Sequence, residues 1–158
     1  MFTIFHARKD REPLNQVELS FFFRKIDEYI QTSRENIWLS VTDYRKLAWY
    51  WSPAMNDANG VMGAADPMHS AVYLMPYAHR HLAAEMRRRI GCGIIDEDWL
   101  GNLFPVVIHE LRHVWQYRRS PLTYCLLSIP LLREFTLERD AWKHTPEMQP
   151  SAGPTHYP

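Results

Sequence analysis

His109, Glu110 and His113 form an H-E-x-x-H pattern, His109-Glu110-Leu111-Arg112-His113. On a helix, residues four apart lie one turn apart on the same face, so the two imidazoles can share one metal ion. Zn²⁺ takes two neutral imidazoles with a carboxylate and keeps a fourth position for water. Glu110 follows His109 by one residue, about 100° around the helix. It therefore flanks such a metal and can hold its water without ligating. A zinc-bound water titrates near neutral pH, so one helix would carry Lewis acid, nucleophile and base. These residue types at this spacing point to metal-assisted hydrolysis.

The flanking sequence has to make that helix. Val107, Ile108, Leu111, Val114 and Trp115 recur at three- and four-residue steps and predict an apolar face. Pro105 suits a first helical turn, with Asn102 or Asp98 upstream as cap. Arg118 and Arg119 suit a last turn by complementing the helix dipole, and Pro121 stops the segment. His109 and His113 lie off the apolar stripe, on a face of their own. The plain alternative is two ordinary histidines on a half-exposed core helix.

A catalytic zinc site wants a third protein ligand. Residues 131–144 read as a second helix, with Leu131, Phe135, Glu138 and Trp142 on one side. Glu138 would project from that apolar face toward the first helix, where a carboxylate is costly unless paired or metal-bound. Glu134, one turn earlier, competes with it, and Asp140 and His144 are weaker candidates. On a solvated face, Arg133 and Arg139 would simply be partners of these acids.

His109-Glu110-x-x-His113 followed by Glu138-Arg139-Asp140-Ala141 resembles the zincin metallopeptidases of the gluzincin type. Their second motif is commonly Glu-x-x-Ala followed by Asp or Asn, on the helix after the catalytic one. The resemblance covers roughly residues 70–144. It implies His109, His113 and Glu138 as ligands of one zinc per chain, Glu110 as general base, and peptide-bond hydrolysis. It also implies an α+β fold, a small zincin-like domain with helices on one short sheet and the H-E-x-x-H on a central helix. Trp142 departs from the pattern: the family often has Asp or Asn there, orienting a ligand histidine, and Asp140 is the expected substitute. Metzincins would carry Gly and His where Gln116 and Arg119 stand. In zincins the strand before the catalytic helix often forms the sheet edge that binds peptide, so the resemblance gives residues 71–75 that role. Tyr117, Tyr124 and His144 are candidate oxyanion donors, Gln116 a candidate support for the ligands, and Asp140 the first acceptor for an imidazole N–H. Two other classes remain open. One is a catalytically silent zincin-fold assembly protein, such as a virion component; the other is a zinc hydrolase of another amide.

With 158 residues the chain reads as one domain over 1–144 and a flexible proline-rich tail over 145–158. A hydrophobic content of 46% with 13% aromatics argues against disorder. Zero net charge gives no basic field for nucleic acid. A peptide or protein substrate, or a larger protein assembly, is the expected partner. Residues 1–11 meet charges too soon for a signal peptide, and the apolar run 121–132 is too short to span a bilayer. These features, with Cys92 and Cys125 read as buried thiols, predict a cytoplasmic protein with no membrane association. The run 121–132 reads as a packed connector, with an apolar substrate wall or a partner patch as alternatives.

Upstream, residues 16–30 predict a helix with Val17, Phe21, Ile26 and Ile30 on its buried side. Residues 37–41 read as a strand, and 43–51 as a short helix whose aromatics join the core. A loop over 52–67 follows, with Gly60 and Gly63 as turn residues, then the strand 71–75. A helix is expected over 77–90, closed by Gly91, with Arg87, Arg88 and Arg89 solvated. His69, His79 and His81 read as surface or structural residues.

Overall fold

The computed structural model describes residues 7–8, 11–52, 63–75 and 97–147. In chain order these are strand β1 (Glu12–Pro13), helix α1 (Gln16–Thr32), 3-10 segments Arg34–Thr42 and Tyr44–Lys46, strand β2 (Ala48–Trp51) and strand β3 (Gly63–Asp66). A 3-10 turn (Pro67–His69), strand β4 (Ala71–Leu74), and helices α2 (Glu97–Arg119) and α3 (Pro121–Leu127) come next. The last stretch is α4 (Pro130–Arg133), one π-helical turn (Glu134–Glu138) and α5 (Arg139–Lys143). The expected helix over 77–90 and the tail beyond residue 147 lie outside the described residues.

The described residues combine helices with a four-stranded sheet of order β1-β2-β4-β3. β1 and β3 run antiparallel to their neighbours, while β2 and β4 are parallel. Side chains alternate across a strand, and the two faces are used differently. Trp49, Trp51, Ala65, Val72 and Leu74 face the main core with α1 and α2. Ala7, Tyr50, Ala71, Tyr73 and Met75 form a second cluster on the outer face.

α1 is set by its first turn. The Asn15 side chain accepts from the backbone of Val17 and Glu18, and Glu18 accepts from Asn15, a reciprocal capping box. Glu18 is buried and also accepts from the Trp51 indole at 3.0 Å, which satisfies its carboxylate. The helix is rotated from the expected face: Phe21, Phe22 and Ile26 are buried, and Val17 is exposed.

Two expected elements differ. Residues 37–41 are not a strand but part of a 3-10 segment, begun by the Ser33 hydroxyl accepting from Glu35. Asn36, Leu39 and Thr42 are buried at three-residue intervals, the 3-10 period, while Ile37 and Val41 point outward. Residues 43–51 are not a helix. Asp43 sits in the left-handed region at φ 53°, and Ala48–Trp51 is a strand whose tryptophans face the core and whose Tyr50 faces the other side.

The expected substrate strand 71–75 is β4, and it is not the sheet edge. It pairs with β2 on one side and β3 on the other, so both its backbone edges are taken. Among the described residues the edge beside the site is β3, which came from the expected loop.

α2 starts eight residues before Pro105, so the proline lies inside the helix and removes the bond to the Gly101 carbonyl rather than sitting in the first turn. Val107, Ile108, Leu111 and Val114 are fully buried, as the periodicity predicts. After α2, residues 121–132 are not a packed connector: Leu122, Leu126, Ile129 and Leu132 are exposed, and so is Cys125. In the last helix Phe135 and Trp142 are exposed while Leu137 and Ala141 are buried. The π turn breaks the 3.6-residue register on which the expected face rested. No described helix is long and apolar enough to cross a membrane.

Candidate metal centre

α2 presents His109 and His113 one turn apart, both buried, with their Nε2 atoms 3.2 Å from each other. The end of the π turn brings Glu138 against them. Its Oε2 lies 3.0 Å from His109 Nε2 and 3.4 Å from His113 Nε2. Three ligand atoms, two imidazole nitrogens and a carboxylate oxygen, thus converge on one point and could hold a metal ion. Glu134, the competitor for Glu138, is exposed and outside the cluster.

The surroundings fix each of these side chains. Gln116, one turn past His113, donates to the Leu137 carbonyl at 3.0 Å and to Asp140 Oδ2 at 2.9 Å. Both amide hydrogens are then used, so its Oε1 must accept, and it does so from His113 Nδ1 at 2.9 Å. That bond engages Nδ1 and leaves Nε2 facing Glu138 and His109. Asp140, expected to hold an imidazole directly, acts instead through Gln116. Its other partner is Arg112, which binds it in a bidentate pair at 2.7 and 3.1 Å. Arg112 is buried and stacked over Trp115, 3.9 Å from the ring centroid, and over Trp38. Burial pushes the Asp140 carboxyl up, but the bonds from Arg112 and Gln116 outweigh it and hold it below its ordinary value.

His109 is held differently. Its Nδ1 is buried without a hydrogen-bond partner among the described residues. Trp142 packs on the ring, with centroids 4.4 Å apart at 50°. An aromatic contact, and no hydrogen bond among the described residues at Nδ1, therefore holds this ring.

Arg133 was legible only as a surface partner for the acids, yet it shapes the site. Its Nε donates to Glu138 Oε1 at 2.7 Å, which leaves Oε2 for the imidazoles. Burial raises the Glu138 carboxyl, but His109, His113 and Arg133 together hold it far below the usual range. Burial lowers the His113 imidazolium, and the bond to Glu138 with the charge of Glu110 more than offsets this.

Glu110 is buried beside the cluster and makes no contact that would turn it into a ligand. Burial raises its pKa, against the lowering influence of the two histidines. β3 lies against it. A Cβ on Gly63 would fall 2.6 Å from Val106 Cγ1 and 2.9 Å from Glu110 Cγ, so only glycine lets the strand approach this closely. Read from sequence, Gly63 was a turn residue; a lone glycine inside a strand is the signal that could have marked it.

Of the three candidate hydroxyl or imidazole donors, Tyr124 is half-buried after α2 and feels the charges of the site. Burial raises its pKa to about 12, with Arg133 lowering it and Glu110 and Glu138 raising it. Tyr117 packs edge-on against Tyr124 at 5.6 Å. His144 turns away, its Nδ1 on the Asp140 carbonyl and its ring against Trp38. His69 belongs to the far end of β3 and the outer face of the sheet. His79 and His81 lie outside the described residues. No protein-family model, curated protein or solved structure matches this chain.

Proposed function

We propose that this chain is a zinc-dependent metallopeptidase with a zincin-like fold. His109, His113 and Glu138 are the ligands of one zinc ion, and Glu110 is the general base. The observation that carries the reading is the triangle of ligand atoms, with sides of 3.0, 3.2 and 3.4 Å, next to a buried carboxylate on the same helix. A tetrahedral zinc with bonds of about 2.0–2.1 Å separates its ligands by roughly 3.3 Å, so this donor set fits the ion in chemistry and in size. Zinc held there supplies a Lewis acid and makes water nucleophilic near neutral pH.

The chain's own residues do the rest. Glu110, its pKa raised by burial, takes the proton from the attacking water and passes it to the departing amine. Tyr124, a half-buried phenol packed edge-on against Tyr117, is the donor we assign to the oxygen of the carbonyl under attack. The outer edge of β3, unpaired among the described residues, offers backbone groups to an extended peptide and runs past Gly63 to Glu110. Gln116 and Asp140 keep the His113 lone pair aimed inward.

The test compares the parent with Glu110→Gln. Both should carry about one zinc per chain by elemental analysis, because Glu110 is not a ligand. Cleavage of a mixed peptide substrate should fall by roughly 10²–10⁴-fold in the variant. A zinc-loaded parent that cleaves nothing, or a variant that cleaves as well as the parent, overturns the proposal.

A further inference from the structure

The face of the sheet opposite α2 carries a second cluster of chemistry that the metal centre does not use. A cavity of about 400 Å³ opens there, lined by Arg8, Arg11, Tyr50, His69 and Tyr73 over Ala48 and Ala71. That volume falls within the range of small-molecule sites. Asp66, at the end of β3, is buried beneath this cluster. It accepts from Arg8 through Nε and Nη2 and lies 3.1 Å from His69 Nδ1. The carboxylate is therefore turned inward and its charge is matched by Arg8.

Arg11 is different. Its Nη1 donates to the Tyr73 hydroxyl at 3.2 Å, and its guanidinium lies 4.7 Å over the Tyr50 ring. Tyr50 and Tyr73 are themselves stacked, 5.5 Å apart at 19°. Among the described residues no carboxylate pairs with Arg11. Arg8 already answers the buried carboxylate of Asp66, so Arg11 is the guanidinium of the pocket that no carboxylate among the described residues neutralises. Guanidiniums carry donors and no acceptors, and His69 Nε2 is the nitrogen not engaged by Asp66 and Arg8. A cavity that offers planar, fork-shaped donors and positive charge suits a tetrahedral or carboxylate oxyanion, phosphate above all.

We infer that this pocket binds a phosphate group, as the free ion or as the head of a small phosphate monoester resting on the Tyr50 and Arg11 platform. The inference does not depend on the peptidase reading, because the two sites lie on opposite faces of the sheet.

Isothermal titration of the full chain with inorganic phosphate and with phenyl phosphate tests it. Saturable binding of at least one is expected. A clear preference for phenyl phosphate identifies the monoester as the ligand, and equal affinity identifies the free ion. Arg11→Ala, and Arg11→Gln as a variant that keeps part of the stem, should weaken binding roughly ten- to hundredfold while zinc content stays that of the parent. No saturable binding of either probe overturns the inference. So does binding that both Arg11 variants leave unchanged, which would place the phosphate elsewhere, at the metal for example.

Discussion

Gly63→Ala is the sharpest test of how the site is built. The added methyl would stand 2.6 Å from Val106 Cγ1, 2.9 Å from Glu110 Cγ and 3.0 Å from Glu110 Oε1. Carbon atoms rest at about 3.5–4.0 Å, so the shortfall is on the order of 1 Å. Val106 cannot turn aside, because a β-branched residue in a helix has essentially one rotamer. Either β3 lifts off α2 or Glu110 retreats. Overpacking of this kind costs about 1–3 kcal/mol. For a domain of this size each kcal/mol lowers the midpoint by roughly 2–4 °C, so a fall of about 2–12 °C is expected by scanning calorimetry. Displacing the base by about 1 Å should also lower peptide cleavage on the order of a hundredfold. Zinc affinity should hold, since none of the three ligands touches the new methyl. Gly101→Ala is the internal control: on the same helix, a Cβ there meets nothing within 4 Å. That change should stabilise the protein, by up to about 1 kcal/mol, through helix propensity alone. If Gly63→Ala unfolds and cleaves like the parent, β3 does not press on Glu110 and the geometry of the base is wrong.

Two further outcomes follow from the groups behind the ligands. Gln116→Leu removes the acceptor of His113 Nδ1 and both bonds that Gln116 donates, so zinc affinity by competition with a chelator should drop about 10–100-fold; an unchanged affinity would mean that Gln116 does not orient the ligand. Asp140→Asn probes the carboxylate held down by Arg112 and Gln116. Its folded pKa lies below its unfolded value of about 3.9, so its contribution is fully present above that pH and is lost as pH falls through the folded value. The stability difference between parent and variant, measured by urea unfolding, should be constant near neutrality and shrink below about pH 4. A difference that persists undiminished into acid would show that charge is not its source.

The parts of this molecule legible from sequence are those where one simple period runs undisturbed. α2 is such a case: Val107, Ile108, Leu111 and Val114 mark the core face, and the two histidines follow from the same 3.6-residue geometry. The Arg34–Thr42 segment was not legible as a 3-10 helix, because Ile37 and Val41 favour strands by type yet are the exposed residues there. Ala48–Trp51 alternates tryptophan with smaller or amphipathic residues, the period-two signal of a strand, inside a run that reads as a short helix. Gly63 read as a turn residue and Arg133 as a surface partner for the acids, and neither reading gives the role each has at the site. Their roles depend on which strand reaches α2 and which oxygen of Glu138 is already occupied, and both are tertiary facts.

The last helix shows what the site demands of the fold. Continued at 3.6 residues per turn, it would set Leu131, Phe135, Glu138 and Trp142 along one face. The π turn from Glu134 to Glu138 shifts that register, so Leu137 and Ala141 seal against the body of the protein instead. Phe135 and Trp142 are left 69% and 55% exposed, although burying a large apolar side chain stabilises a fold by about 1.5–3 kcal/mol. Stability alone does not favour that arrangement. What it achieves is a division of labour along a few residues: Glu138 reaches the two imidazoles directly, and Asp140 reaches Arg112 and Gln116, and through Gln116 the far side of His113. Glu138 and Asp140 therefore sit two residues apart on one continuous stretch of helix, clamped to α2 by a bidentate arginine stacked on two indoles. π turns concentrate at functional sites, and here the reason is visible in the register. The extra residue seats Leu137 and Ala141 against the body of the protein while Glu138 keeps its place beside the histidines, an arrangement that would serve a bound metal better than a helix that only fills a core.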